Sequence, residues 1–260
     1  MFSEDKLHMS YKFENAPILN FPFPHLYIEN IFSDNFYSKI QENFPDPHEM
    51  ISLADLYREY PSLSIYKDRM VLDFDREESM QKVGKDKRNF WISFHKNFCP
   101  NFSNILRDKF KKFLDLRFSN LKSVTYAHTL QVVHDKKNYS LEPHTDQQSK
   151  VLSLLIYLPK NRTQISTGTS IYMSKDPSKI NTELPHMHYP REDFCKVITM
   201  PFVPNSAFCF IKTNNSFHGV EKLEIEDTDR WSIQYNIHIT DDVVNQETAV
   251  RNEHRKTQQL

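Results

Sequence analysis

Arg230 to Ile239 alternates without interruption. Trp231, Ile233, Tyr235, Ile237 and Ile239 are apolar, and Ser232, Gln234, Asn236 and His238 fall between them. A period of two over ten residues puts one set on each face of an extended strand. The segment therefore requires a sheet with one buried face and one polar face, which a helical bundle does not supply. Other stretches carry related signals. Thr125 to His134 holds Tyr126, Thr129, Val132 and Val133, and Lys150 to Leu158 is a nearly continuous apolar run closed by Pro159. Phe194 to Met200 and Ser206 to Ile211 are further short runs, separated by Pro201, Pro204 and Asn205, which supply turn chemistry. The expected class is mainly β with flanking helices.

The first half reads as support for this β region. Phe21 to Asn30 gives an aromatic strand. Ser33 is placed to cap a helix from Asp34 to Asn43, which Phe44-Pro45 ends. Asp68 to Arg88 reads as helix and loop. Asn101 to Phe118 reads as an amphipathic helix with Phe102, Ile105, Leu106, Phe110, Phe113 and Leu114 as its apolar stripe. Lys109, Lys111 and Lys112 form its solvated face. The polar tail after Asp242 is expected to fray. The expectation is one domain over 1–260: support over 1–124, a β core over 125–240 and a tail over 241–260.

Composition excludes several functions. Formal net charge is −1, which gives no general pull toward nucleic acid or an acidic membrane. No apolar segment has the length of a membrane span, and Met-Phe-Ser-Glu-Asp-Lys lacks a secretory leader's features. Cys99, Cys195 and Cys209 are odd in number and unpaired in spacing, which fits a reducing, cytoplasmic setting. Gly84, Gly168 and Gly219 are the whole glycine complement, too few for a glycine-rich phosphate loop.

The chemistry concentrates at His144-Thr145-Asp146, between two strand runs at a turn opened by Pro143, and at His218. Two imidazoles and one carboxylate that leave coordination positions open form the donor set of non-haem Fe(II) oxygenases. His186-Met187-His188 is read as part of a loop over 175–192, placed to cover a site mouth, with no metal role of its own. In the longer stretch between Tyr157 and Phe194, Arg162, Lys175, His186, His188 and Arg191 are expected to offer polar contacts.

Taken in order, the Pro-His-Thr-Asp turn, Ser153-Leu-Leu-Ile-Tyr-Leu158, Gly168-Thr-Ser-Ile-Tyr172, Pro204-Asn-Ser-Ala-Phe-Cys-Phe210, His218-Gly-Val220 and Arg230-Trp-Ser232 are similar to the 2-oxoglutarate- and Fe(II)-dependent dioxygenases. The prolyl-4-hydroxylase-like branch is the nearest match. The resemblance spans roughly 125–240 and implies a double-stranded β-helix, a jelly roll with iron in its mouth. It implies His144, Asp146 and His218 as the iron ligands and as the catalytic set. It implies Arg230 as the cation for the far carboxylate of 2-oxoglutarate, with Ser232, Ser153 and, more softly, Gln131 beside it. Fe(II) would be the cofactor, 2-oxoglutarate and O2 the cosubstrates, and ascorbate a supporting reductant.

The resemblance further implies hydroxylation of a C–H bond with release of succinate and CO2. Related halogenases lack the carboxylate that Asp146 supplies, and nucleic-acid demethylases carry a second Arg where this chain has Asn236. The expected substrate is a small polar metabolite, such as an amino acid or a sugar-linked intermediate. A prolyl-type peptidyl hydroxylase is the alternative within the class. Outside it stand a cupin-type metalloenzyme without the keto acid and a non-catalytic jelly-roll binding protein. Neither nucleic acid nor membrane is expected as a partner, and the sequence leaves oligomeric state open.

Overall fold

A computed structural model describes residues 3–180, 182, 187–225 and 230–258, with side chains through 249. Eleven strands occur among these residues: β1 (His25–Glu29), β2 (Ile51–Ser52), β3 (Arg69–Asp73), β4 (Tyr126–Asp135), β5 (Leu141–His144), β6 (Lys150–Tyr157), β7 (Ser170–Ser174), β8 (Phe194–Thr199), β9 (Ser206–Ile211), β10 (His218–Val220) and β11 (Arg230–Ile239). The α-helices are α1 (Ser3–Asn15), α2 (Asp34–Glu42), α3 (Leu53–Leu56), α4 (Glu77–Lys82), α5 (Lys85–Lys109), α6 (Lys111–Arg117) and α7 (Asp241–Gln258).

The strands form two antiparallel sheets. The larger has the order β1-β9-β6-β11-β4-β3-β2, the smaller β5-β10-β7-β8. From β4 onward the chain crosses repeatedly from one sheet to the other, so that β4, β6, β9 and β11 face β5, β7, β8 and β10. This is the winding of a double-stranded β-helix, and the expected jelly roll is present. β1 extends the larger sheet at one edge, and β3 with β2 extends it at the other.

The alternation of β11 decides which face packs where. Trp231, Ile233, Tyr235, Ile237 and Ile239 join Leu130, Val132, Leu152, Leu154 and Ile156 in the main core. α5 covers this outer face with Trp91, Phe94, Phe98, Phe102 and Leu106, spaced three and four residues apart. Fully burying an aromatic side chain of this kind contributes about 1.5–3 kcal/mol. Tyr235 also donates to the Cys99 carbonyl at 3.0 Å, tying strand to helix.

Several local expectations hold. Ser33 caps α2 by accepting from the Phe36 amide. Others change. Asp68 to Arg88 contains β3, a strand whose Val71 and Leu72 are buried in the sheet. The helix expected from Asn101 starts sixteen residues earlier, at Lys85, and breaks between Lys109 and Lys111. The tail is helical as α7, with Val243 packed in the main core.

Candidate metal and anion site

The smaller sheet brings the two histidines together. In the β5–β10 pairing His144 lies opposite His218, with ring centroids 4.4 Å apart. Asp146 follows two residues beyond His144, and the donor atoms of His144, Asp146 and His218 all lie within 4.8 Å of one another. All three side chains are buried.

Each imidazole is oriented in the same way. His144 Nδ1 lies 3.0 Å from the Glu142 carbonyl oxygen, and His218 Nδ1 lies 3.0 Å from that of Ser216. A carbonyl only accepts, so both Nδ1 atoms carry the proton and both Nε2 lone pairs are the available donors. This is the outer-shell arrangement that fixes tautomer and ring angle in metal-binding histidines. Burial, followed by the neighbouring His218, holds the His144 pKa well below the usual imidazole range, so the ring stays neutral.

Asp146 is held ionised. Burial alone would raise its pKa, but the paired Lys150 ammonium leads the opposing effects and holds it below the usual carboxylate range. Lys150 donates to Asp146 Oδ1 at 2.8 Å and Ser153 donates to Oδ2 at 3.0 Å. Neutral imidazoles and an ionised carboxylate are the protonation states that a divalent ion requires.

Close backbone approach keeps β10 against β5. A methyl group on Gly219 would collide with the Leu141 carbonyl oxygen, so only glycine fits beside His218. The far strand of the same sheet is fixed by Arg191, which pairs with Glu142 and Glu221.

A cleft of about 460 Å³ opens over these ligands. Its walls include the polar face of β11 (Arg230, Gln234, Asn236, His238) with Thr129 and Gln131 of β4 and Asp73 of β3. One transverse row stands out. Register pairs Asp135 with both Arg69 and Arg230, so a carboxylate sits between guanidiniums from the strands on either side. Arg69 donates to Asp135 from Nε at 2.7 Å and from Nη2 at 3.1 Å, and Arg230 pairs with the same carboxylate through Nη1. Arg230 Nε donates to the Thr167 carbonyl at 2.7 Å. The Asp135 carboxylate is fully buried, and the two arginine side chains are at most 9% exposed.

This row holds two cations and one anion, an excess of one positive charge out of water. An uncompensated buried charge costs several kcal/mol, so the row is set to receive an anion. Nearby hydroxyls fit the same purpose. Among the described residues, Tyr139 OH, Thr169 Oγ1 and Ser232 Oγ are buried without a hydrogen-bond partner. Arg69 stacks on the Tyr139 ring at 4.4 Å, and Thr169 donates its amide to Tyr157 OH at 3.1 Å, next to Arg230.

The residues read from the sequence therefore divide. His144, Asp146 and His218 converge, and Arg230 lines the same cleft. Ser232 points its hydroxyl into the interior beside Arg230. Ser153 serves the Asp146 carboxylate, and Gln131 donates to Asp73 at 2.6 Å. Arg162 pairs with Glu29, Lys175 bonds the Glu192 carbonyl, and Arg191 is engaged as above, so none of these three lines the cleft. The loop does reach this trio, because the His188 ring packs 5.0 Å from that of His144. His186 lies outside the described residues. Asp135, Arg69 and Lys150 were not singled out from the sequence. Asp135 had a readable signal, since an antiparallel neighbour of β11 ending in Asp falls opposite Arg230.

Fold and site together define a jelly-roll protein with a buried His-Asp-His set able to hold a metal ion. No family model matches the chain, and no curated protein does. Among solved structures, it is similar to a prolyl-4-hydroxylase of Pseudomonas putida (9% identity, 88% of this chain, 98% of that one, TM-score 0.46). It is similar to the epimerase SnoN in complex with Fe3+, alpha ketoglutarate and nogalamycin RO (9%, 90% and 83%, TM-score 0.45). HygX of Streptomyces hygroscopicus, with nickel, 2-oxoglutarate and hygromycin B bound, is another (10%, 93% and 88%, TM-score 0.43).

Proposed function

We propose that the protein is an Fe(II)- and 2-oxoglutarate-dependent dioxygenase that hydroxylates a C–H bond of a small polar metabolite. The observation that carries this reading is one cleft lined by both a metal-ligand set and a buried cation excess. A metal alone would need only the first. A keto acid with a carboxylate at each end needs both.

His144, Asp146 and His218 would hold the iron, which when bound supplies oxygen activation coupled to decarboxylation of the keto acid. Their donors fit it: two neutral imidazoles and a carboxylate leave three of six positions open. Arg230 grips the distal carboxylate through its planar fork. Asp135 fixes the Arg230 guanidinium in place, and Arg69 restores the positive charge that Asp135 removes. Ser232 and Thr169 donate their hydroxyl protons to the same carboxylate. Ser153 and Lys150 hold the Asp146 side chain in place, so that it would present a fixed, ionised carboxylate to the ion. His188 packs edge-on against the His144 ring and supports its orientation.

The remaining wall selects the substrate. Asp73, Thr129, Gln131, Gln234 and Asn236 line it with carboxylate, hydroxyl and amide groups, which suits hydroxyl or amino groups of an amino acid or sugar-linked molecule. The test is oxygen-dependent succinate release from 2-oxoglutarate with Fe(II) and ascorbate, over a panel of such metabolites, with prolyl peptides as one arm. Succinate that rises with one metabolite supports the reading. Turnover only with peptides moves the substrate to a protein side chain. Turnover without the keto acid makes the protein a cupin-type enzyme, and failure to bind Fe(II) makes it a binding protein.

A further inference from the structure

A second cluster of donors lies on the helix-covered side of the larger sheet. His95 and Cys99 stand one turn apart on α5, and His128 of β4 meets them, with the three donor atoms all within 4.8 Å of one another. Spacing of i and i+4 puts His95 and Cys99 on one helix face. Register explains the third: His128 shares its parity with Leu130 and Val132, which face the helices.

Nothing else in the described structure accounts for these groups. Among the described residues, neither ring nor the thiol carries a hydrogen bond. The rings are held by aromatic neighbours instead: His95 stacks on Phe74 at 5.6 Å, and His128 lies 5.6 Å from Tyr235 and 5.7 Å from His95. Cys99 is fully buried, while His95 is half-buried, which leaves an entry path. The Asp75 carboxylate lies close enough to interact electrostatically with both His128 and Cys99.

We propose that His95, Cys99 and His128 bind one divalent ion of the zinc class, with the Asp75 carboxylate nearby as a charge partner. A thiolate and a carboxylate would balance the ion's two charges, and one sulfur with two imidazoles is a donor set suited to zinc. The ion pins α5 to β4 and to the segment after β3, the same strand that carries Arg69. Softness then separates the two sites. The thiolate favours a zinc-class ion here, whereas the carboxylate-imidazole set in the cleft offers no sulfur. The thiol must lose its proton to bind as a thiolate, so binding releases a proton.

Cobalt(II) is the probe, added to the full chain after chelator treatment. Two equivalents bind, and one of them produces the intense near-ultraviolet absorption of a cobalt–thiolate bond. C99S loses that absorption and one equivalent. H144A keeps the absorption and loses the other equivalent. If C99S does not fold, H128N gives the same reading through an affinity for the thiolate-bound ion at least tenfold weaker. C195S, which removes the exposed thiol, changes nothing. The proposal is overturned if the full chain shows no cobalt–thiolate absorption, or if that absorption survives C99S or is unaffected by H128N. Because the signal needs sulfur, it reports on this site whether or not the cleft proves to be a dioxygenase centre.

Discussion

On its outer face, the larger sheet presents Trp231, Ile233, Tyr235 and Ile237 to α5, and on its inner face Arg230, Gln234, Asn236 and His238 to the cleft. The same strand makes both. The outer face is held by packing. Trp231 is stacked between His134, at 4.3 Å, and Phe44, at 4.9 Å. The inner face is held by charge and hydrogen bonds, with Asp135 between Arg69 and Arg230 at one end and Lys150 on Asp146 at the other. Dispersion and hydrophobic burial are tolerant of what else is bound. A buried row with an excess charge is not, so stability and anion binding are coupled on the inner face, whereas the packing around Trp231 is independent of the anion.

The largest effects should come from the inner face. H144A, D146A and H218A are each expected to lower Fe(II)-dependent succinate formation by more than the roughly 10–100-fold typical of losing an outer-shell partner, with little change in circular dichroism. Full activity with iron in all three variants would remove the site assignment. On the outer face, W231A should destabilise the fold by about 3–5 kcal/mol in urea titrations, while the folded fraction keeps its KM for 2-oxoglutarate. A large KM change in that variant would show that the two faces are not separable.

R230A tests the charged row. It deletes a charge-assisted fork worth about 1.5–3 kcal/mol, so the KM for 2-oxoglutarate should rise about 10- to 100-fold while kcat falls less. R230K should recover part of the loss, because a point charge replaces the fork. A KM unchanged in R230A sinks the role of Arg230. The partner variant D135N leaves two guanidiniums without their carboxylate. It should lower apo stability, and 2-oxoglutarate should raise its melting temperature by more than it does for the unaltered chain. Equal shifts in the two proteins would separate Asp135 from the anion site.

β4, β6, β8, β9 and β11 were readable from simple patterns, whereas β5, β7 and β10, three to five residues long, are too short to show one. β11 alternates, β6 is continuously apolar, and Ser206 to Ile211 is flanked by turn residues. The cluster of His144, Asp146 and His218 was readable because His144 and Asp146 are two residues apart at a turn between strand runs, whereas the β5–β10 pairing that sets His218 opposite His144 spans more than seventy residues and has no local signal. Arg69 was not. β3 is five residues long with charges at both ends, a pattern that a helix-loop segment also shows, and its place beside β4 depends on pairing across more than fifty residues. The extent of α5 was hidden for a similar reason. Pro100 suggests a break inside a helix that tertiary packing of Trp91, Phe94 and Phe98 carries through. The His95–Cys99–His128 cluster joins helix to strand, so no local spacing announces it.

The smallest expected effect is a dependence of apo stability on pH that belongs to the inner face. His238 lies on the polar side of β11, and burial, followed by the Lys150 ammonium, lowers its pKa from 6.5 to about 4, with Asp146 opposing. The unfolded chain takes up a proton near pH 6.5, whereas the folded chain resists until about pH 4. Between these values the unfolded state binds more protons, so stability falls as pH falls through the window and is fully present above it. H238Q should flatten the part of this slope due to His238, measured as the urea midpoint between pH 7 and pH 4 (roughly the range in which histidine titrates). His144 contributes in the same direction and leaves a residual slope. Replacement of an outer-face residue, such as I237V, should shift the whole curve without changing its slope. If I237V alters the slope as much as H238Q does, the two faces share their electrostatics and the division drawn between them fails.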